Sequence, residues 1–115
     1  MATTIEDPQL DSVFRALSDR TRRDIVARLS AGEATVKELA EPYAMSMQAV
    51  SQHIRVLERS GLISQGRHRQ TRPCRLEPAA LEAALSWIEE SRRTWSERMD
   101  RLETHLVRLQ ERENQ

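Results

Sequence analysis

The chain has 115 residues, a formal net charge of zero and a single cysteine, and its mean hydropathy is −0.67. That length holds one domain with little to spare, and no apolar run approaches the ~20 residues of a membrane-spanning helix. The lone Cys74 excludes an internal disulfide and the opening MATTIEDPQL lacks a signal-peptide core, so a reducing cytoplasm is expected.

Hydrophobic residues make up 38% of the chain, and the aromatics are Phe14, Tyr43, Trp87 and Trp95. A monomer so composed buries a modest core, which calls for a partner surface. After Pro8, Leu10, Val13, Phe14 and Leu17 recur at helical spacing and predict a short first helix. Ser18-Asp19 caps a second, TRRDIVARLSAG, with Ile25, Val26 and Leu29 inward and Gly32 as its stop. Thr35 and Glu38 stand at the spacing of a capping box, and the helix they open must end near Pro42.

A turn from Pro42 to Met45 leads to MSMQAVSQHIRVLER, residues 45–59. At 100° per residue Val50, Ile54 and Leu57 share one side, with Met47 at its border. Gln48, Gln52, Arg55 and Arg59 share the other, and Ser46 and Gly61 are a natural cap and stop. Amides and guanidiniums are the groups that read base edges and grip phosphates. A polar outer face by itself describes any solvated helix equally well, so the context decides. Two short helices joined by a tight turn, the second polar outward, form a helix-turn-helix.

Beyond Gly61 the helical period is lost. LISQGRHRQTRPCRL has apolar ends around a basic middle and predicts a two-stranded hairpin, a wing with its tip near residues 67–70. Pro73 cannot donate to a ladder, which puts its strand at an edge. Arg67, Arg69, Arg72 and Arg75 on so small a ribbon repel one another unless an anion lies nearby. The charge map agrees. Residues 46–76 carry six arginines against Glu58, net +5, while residues 1–45 sum to −2 and residues 77–115 to −3. The neutral total hides a basic third beside the polar helix.

Pro78 opens the last helix. Leu81, Leu85, Ile88, Trp95, Met99, Leu102, Leu106 and Leu109 alternate spacings of four and three, with Arg92 in the one gap. This is a heptad seam too long for a small body to cover. Its first half can pack on that body. Beyond Trp95 it is expected to pair with another copy, helped by the first helix, so the expected dimer interface comprises Leu10, Val13, Phe14, Leu17, Trp95, Met99, Leu102, Leu106 and Leu109.

The stretches LSDRTRRDIVARL, TVKELAEPYAMSMQAVSQHIRVLERSGLI and RPCRLEP closely resemble the ArsR-type family of bacterial winged-helix repressors, from about Val13 to Leu81. The resemblance implies that the helix after Ser46 enters the major groove and that the wing touches the flanking backbone. Ser46, Gln48, Ser51, Gln52 and His53 are the DNA contacts it implies, joined by the outward Arg55 and by Arg67, Arg69 and Arg72 of the wing. Arg20 stands where the family usually has proline, and Gln48 and Gln52 replace a common proline and a common basic residue. The family's metal sensors place cysteines in the third helix or His and acidic pairs on the last. VKELAEPYA has no cysteine and the last helix has only His105, so neither metal site is expected. The chain is most similar to the branch without metal sites, whose regulators often accompany genes for START-like proteins.

No Ser-His-Asp set, phosphate loop or paired carboxylates can be assembled, so catalysis and cofactors are not expected. His53 reads as a packed or phosphate-bonded histidine. Cys74 reads either as a small inward hydrophobe or, if exposed beside Arg72 and Arg75, as a reactive thiol. The expected fold is mainly α with a small β-hairpin: one winged helix-turn-helix domain over residues 1–115, with core and wing at 9–76 and a long dimerisation helix at 78–113. The expected function is a homodimeric, cytoplasmic, sequence-specific DNA-binding transcriptional regulator, a repressor at a near-palindromic operator, its inducer unspecified. The rivals are a coiled-coil adaptor whose winged helix binds protein and a regulator that senses redox state through Cys74.

Overall fold

A computed structural model describes residues 7–66 and 72–114. In chain order the elements are α1 (Pro8–Ala16), α2 (Arg20–Ala31), β1 (Ala34–Thr35), α3 (Val36–Ala40), α4 (Met47–Arg59), β2 (Ile63–Gln65), β3 (Pro73–Leu76) and α5 (Pro78–Glu113).

Short polar side chains set the helix starts. Asp7 accepts the N–H groups of Gln9 and Leu10, both at 3.1 Å, ahead of Pro8 in the first turn of α1. Asp19 accepts the Arg22 N–H at 3.0 Å, and Ser46 the Ala49 N–H at 3.1 Å. The capping box is complete: Thr35 Oγ1 accepts the Glu38 N–H at 3.1 Å, and Glu38 Oε1 accepts the Thr35 N–H at 2.8 Å. Helix α4 ends through Gly61, whose φ of 85° an L side chain rarely adopts. The Gly61 and Leu62 N–H groups return to the carbonyls of Glu58 and Leu57 at 3.0 and 3.1 Å, a Schellman closure that turns the chain into β2.

The core draws on every one of these elements that has room for a large side chain. Val13, Ile25, Leu29, Leu39, Val50, Ile54, Leu57, Leu62 and Ile63 are buried together with Cys74, Ala80 and Ala84. Burying each of the larger aliphatic side chains contributes about 1.5–3 kcal/mol, which outweighs the weak propensity of a five-residue α3.

The sheet corrects two expectations. It has three strands in the order β1-β3-β2, both pairings antiparallel, rather than the two of a plain hairpin. Strand β3 is therefore central and Pro73 does not mark an edge. It is tolerated because it opens the strand: it faces Thr35, and its carbonyl accepts the Gly66 N–H at 2.8 Å. Cys74 faces Ala34 on one side and Gln65 on the other, with its side chain in the core.

The chain forms two compact units that divide between Ala84 and Leu85, inside α5. In the first unit, Ala80 and Ala84 are buried and Leu81 is half-buried, so α5 meets the core through a stripe of alanines beside the leucine seam. Leu85 and Ile88, the first seam residues of the second unit, are exposed. In the second unit, every large apolar residue of the seam is exposed. Among the described residues, no helix is long and apolar enough to cross a membrane.

Candidate nucleic-acid interface

Helices α3 and α4 are anchored by contacts that do not involve the outer face of α4. Arg28 of α2 donates to the carbonyls of Leu39 at 2.8 Å and Glu38 at 3.1 Å. Its guanidinium also lies 5.5 Å from the ring centre of Tyr43, whose hydroxyl donates to Asp24. Burial and the neighbouring carboxylate hold the Tyr43 hydroxyl above its usual pKa, so it stays a donor at neutral pH. Arg28 thus supplies charge to two carbonyls near the end of α3 and clamps the turn against α2.

On α4 the inward and outward residues separate as expected. Val50, Ile54 and Leu57 are buried, and Gln48, Gln52, Arg55 and Arg59 are exposed. Ser46 is exposed and engaged as the cap, and Ser51 is half-buried. Met47, expected at the border, is half exposed. Arg55 Nη1 donates to Gln52 Oε1 at 3.0 Å, so one guanidinium and one amide form a joined polar group on the outward face. The Gln52 NH2 keeps both of its donors.

His53 is held within its own chain. Its Nδ1 lies 3.3 Å from Nη1 of Arg22 and 3.8 Å from Asp19 Oδ2, and its side chain is 21% exposed. This supports the packed alternative for His53. The Arg22 N–H, and to a lesser degree the imidazole and guanidinium, keep the Asp19 carboxyl below its ordinary pKa. Neither of these links between the start of α2 and α4 was read from the sequence. A basic residue three positions after a cap was the available signal.

On the wing, Arg72 and Arg75 are exposed. Arg75 Nε lies 3.5 Å from Glu77 Oε2, which also accepts from the Ser64 hydroxyl. One anion that answers the crowded arginines is therefore the chain's own Glu77. Arg67 and Arg69 lie outside the described residues. Cys74 is 0% exposed, and burial, with Glu58 adding to it, pushes its thiol pKa up to about 11. Arg72 and Arg75 do not activate it, which removes the physical basis for a reactive thiol.

The residues expected at a dimer interface fall into two groups. Leu10, Phe14 and Leu17 on or beside α1 are half-buried, but Val13 is 1% exposed and belongs to the core of its own chain. The assignment of Val13 to an outer surface is corrected: it lies on the same arc of α1 as Leu10 and Phe14 but at its buried edge, in the core of its own chain. Trp95, Met99, Leu102, Leu106 and Leu109 are all exposed on α5.

Comparison with known proteins follows the same outline. A helix-turn-helix domain family matches residues 17–65. Over 79 residues the chain is 32% identical to the transcriptional repressor SdpR of Bacillus subtilis, a match spanning 69% of this chain and 88% of that protein. It is 41% identical over 73 residues to the HTH-type transcriptional regulator Rv2034 of Mycobacterium tuberculosis, spanning 64% and 68% of the two chains. The crystal structure of the ArsR family transcriptional regulator RHA00566 superposes with a TM-score of 0.75 at 40% identity, over 84% of this chain and 97% of that one. The solution structure of the homodimeric winged helix-turn-helix domain of Mb0332 from Mycobacterium bovis gives a TM-score of 0.60 at 25% identity, over 76% and 82%. With a helix-turn-helix built on α3 and α4, a three-stranded antiparallel sheet and relatives matched over most of their length, the chain belongs to the ArsR-type family of winged helix-turn-helix transcriptional regulators.

Proposed function

We propose that the protein is a homodimeric repressor that reads a near-palindromic operator through the outward face of α4. The observation that supports this most directly is the division of α4: three aliphatic side chains are buried on one face, and two amides and two guanidiniums are exposed on the other. Amides and guanidiniums match the donor and acceptor pattern of the major groove, and the second helix of a helix-turn-helix is the element that reaches it. Gln48, Gln52 and Arg55 are assigned to base edges. Ser46, Ser51 and His53 are assigned to the helix start and the adjoining backbone, and Arg67, Arg69 and Arg72 to flanking phosphates.

The second copy is supported by the exposed seam of α5 from Trp95 to Leu109, with Leu10, Phe14 and Leu17 contributing from α1. A two-fold pair of reading helices calls for inverted half-sites about one helical turn apart. Repression follows from occupying the DNA that polymerase needs. The reading has no catalytic step and no cofactor, and it puts the protein in the cytoplasm. A net charge of +5 over residues 46–76 argues for DNA over a protein-binding adaptor. Selection of bound duplexes from a random pool tests the proposal. Enrichment of inverted repeats is the expected result, and a pool that stays random under washing at physiological salt, where sequence-independent phosphate binding is weak, contradicts it.

A further inference from the structure

We infer that Gln52 and Arg55 act as one donor-only unit that reads a guanine, through its O6 and N7 acceptors, in each half-site of the DNA. The inference rests on the base-reading role proposed above for α4 and names the base. It starts from the hydrogen bond that joins the two side chains, Arg55 Nη1 to Gln52 Oε1 at 3.0 Å. A guanidinium has no acceptor, so the atom of Gln52 that faces it must be the carbonyl oxygen, and the amide cannot be turned over. The Gln52 NH2 group is left with both of its N–H bonds to give, and Arg55 with the rest of its fork. Three residues apart, the two stand about 60° from each other around the helix, and both are exposed.

The consequence lies in what this unit cannot do. A free glutamine suits adenine, because its oxygen accepts from N6 while its nitrogen donates to N7. Here that oxygen is engaged. Adenine, like the N4 amine of cytosine, would bring a donor against donors. Thymine presents one acceptor, O4, whereas guanine presents two, O6 and N7, on the same edge. Of the four bases, only guanine gives each member of the pair an acceptor of its own.

No carboxylate on this face relieves the restriction. Glu58, the only acid of α4, lies about 120° around the helix from Gln52 and lines a groove with Gln65, Gly66 and Arg72 instead. The bond between Arg55 and Gln52 is charge-assisted, and it strengthens as docking drives water from the groove. The pair therefore enters the DNA with its donors committed to the base.

The test runs random-pool selections of duplex DNA with wild type, Gln52→Ala and Arg55→Ala in parallel. The symmetric pair of positions that Gln52→Ala relaxes should be guanine in the wild-type selection. Arg55→Ala should shift that same pair from guanine towards adenine, because the freed Gln52 oxygen can then accept from N6. Base substitutions in the winning duplex give a second reading with wild-type protein, independent of how the variants fold. Hypoxanthine keeps O6 and N7 and should bind as guanine does. 7-Deazaguanine lacks N7 and should bind about tenfold more weakly, as for one lost hydrogen bond to a charged group. A different base fixed at that pair overturns the inference, as does an Arg55→Ala selection that keeps guanine, or 7-deazaguanine bound as tightly as guanine. Each of these leaves α4 standing as the reading helix. A wild-type pool with no enriched sequence overturns both.

Discussion

Arg22 on α2 and His53 on α4 meet with the guanidinium Nη1 3.3 Å from the imidazole Nδ1. Arginine has no acceptor, so Nδ1 accepts, and a neutral ring carries its proton on Nε2. The same guanidinium donates to the carbonyls of Ala16 at 2.6 Å and Arg15 at 3.1 Å, closing the end of α1 with charge of the favourable sign. One side chain thereby ties the reading helix to two others. Arg22→Ala is expected to destabilise the protein by about 1.5–3 kcal/mol, the usual cost of removing hydrogen bonds to a charged group. Arg22→Lys should recover only part of this, because a point charge cannot span three acceptors. Urea denaturation at one fixed protein concentration measures both. An alanine variant with an unchanged midpoint would show that water replaces the three bonds.

The cap of α2 makes an acid-side prediction. The Arg22 N–H holds the Asp19 carboxyl below its ordinary pKa. Its stabilising contribution is therefore fully present above the unfolded-state value of about 3.9 and fades as pH falls through the lower folded-state value. Asp19→Ala should cost about 1 kcal/mol at neutral pH, while Asp19→Asn keeps the cap and loses the pH dependence. Thermal melts between pH 7 and pH 3 separate the two variants. Parallel decline of wild type and Asp19→Asn in acid would assign the loss to other carboxylates.

Cys74 is buried, with a thiol pKa pushed up to about 11. The neutral thiol is favoured by folding, so its contribution is present below the unfolded-state value of about 8.5 and is lost as pH rises toward 11. At pH 8 a disulfide reagent should label the native protein no faster than the protein opens, and denaturant should make labelling immediate. Mild peroxide should leave DNA affinity unchanged. Rapid native labelling together with oxidant-dependent release from DNA would restore the redox rival.

Much of this was legible in the sequence, for a physical reason that differs by element. Helix α4 was legible because Val50, Ile54 and Leu57 obey one period and Ser46 and Gly61 bound it. The capping box at Thr35 and Glu38 was legible because both halves are local. Strand β1 was not: two residues, Ala34 and Thr35, have no pattern of their own and become a strand only by pairing with Cys74 and Pro73. That tertiary pairing also made the proline strand central. Ala80 and Ala84 were hidden beside larger leucines, although small residues let a helix come close to a core. Val13 was misplaced because a helix with apolar residues on much of its surface does not reveal which of them faces inward. The polar ties of Arg22, Arg28 and Tyr43 join elements distant in the chain, and single-residue patterns do not encode them.

The seam of α5 gives a direct test of the homodimer. Leu102 and Leu106 are exposed in the single chain and assigned to the interface between copies. Leu102→Asp/Leu106→Asp would set four carboxylates in an apolar contact, where an unpaired charge costs several kcal/mol. The double variant should sediment as a monomer with helical content near wild type and should bind operator far more weakly. A variant that remains dimeric would move the interface elsewhere on the chain.

If the outward face of α4 reads bases while the wing holds phosphates, Gln52 and Arg72 fail in different ways. The measurement is a set of binding titrations of Gln52→Ala and Arg72→Ala on the selected operator and on scrambled DNA, each at several salt concentrations. Gln52→Ala should lose about 1–3 kcal/mol of discrimination at one symmetric pair of positions, with the salt dependence nearly unchanged. Arg72→Ala should weaken both DNAs alike. It should also flatten the slope of log affinity against log salt by roughly 1.8 per dimer, about 0.9 for each phosphate no longer neutralised. Equal weakening of operator and scrambled DNA by Gln52→Ala would contradict base reading by this face of α4, which would then only be holding the backbone.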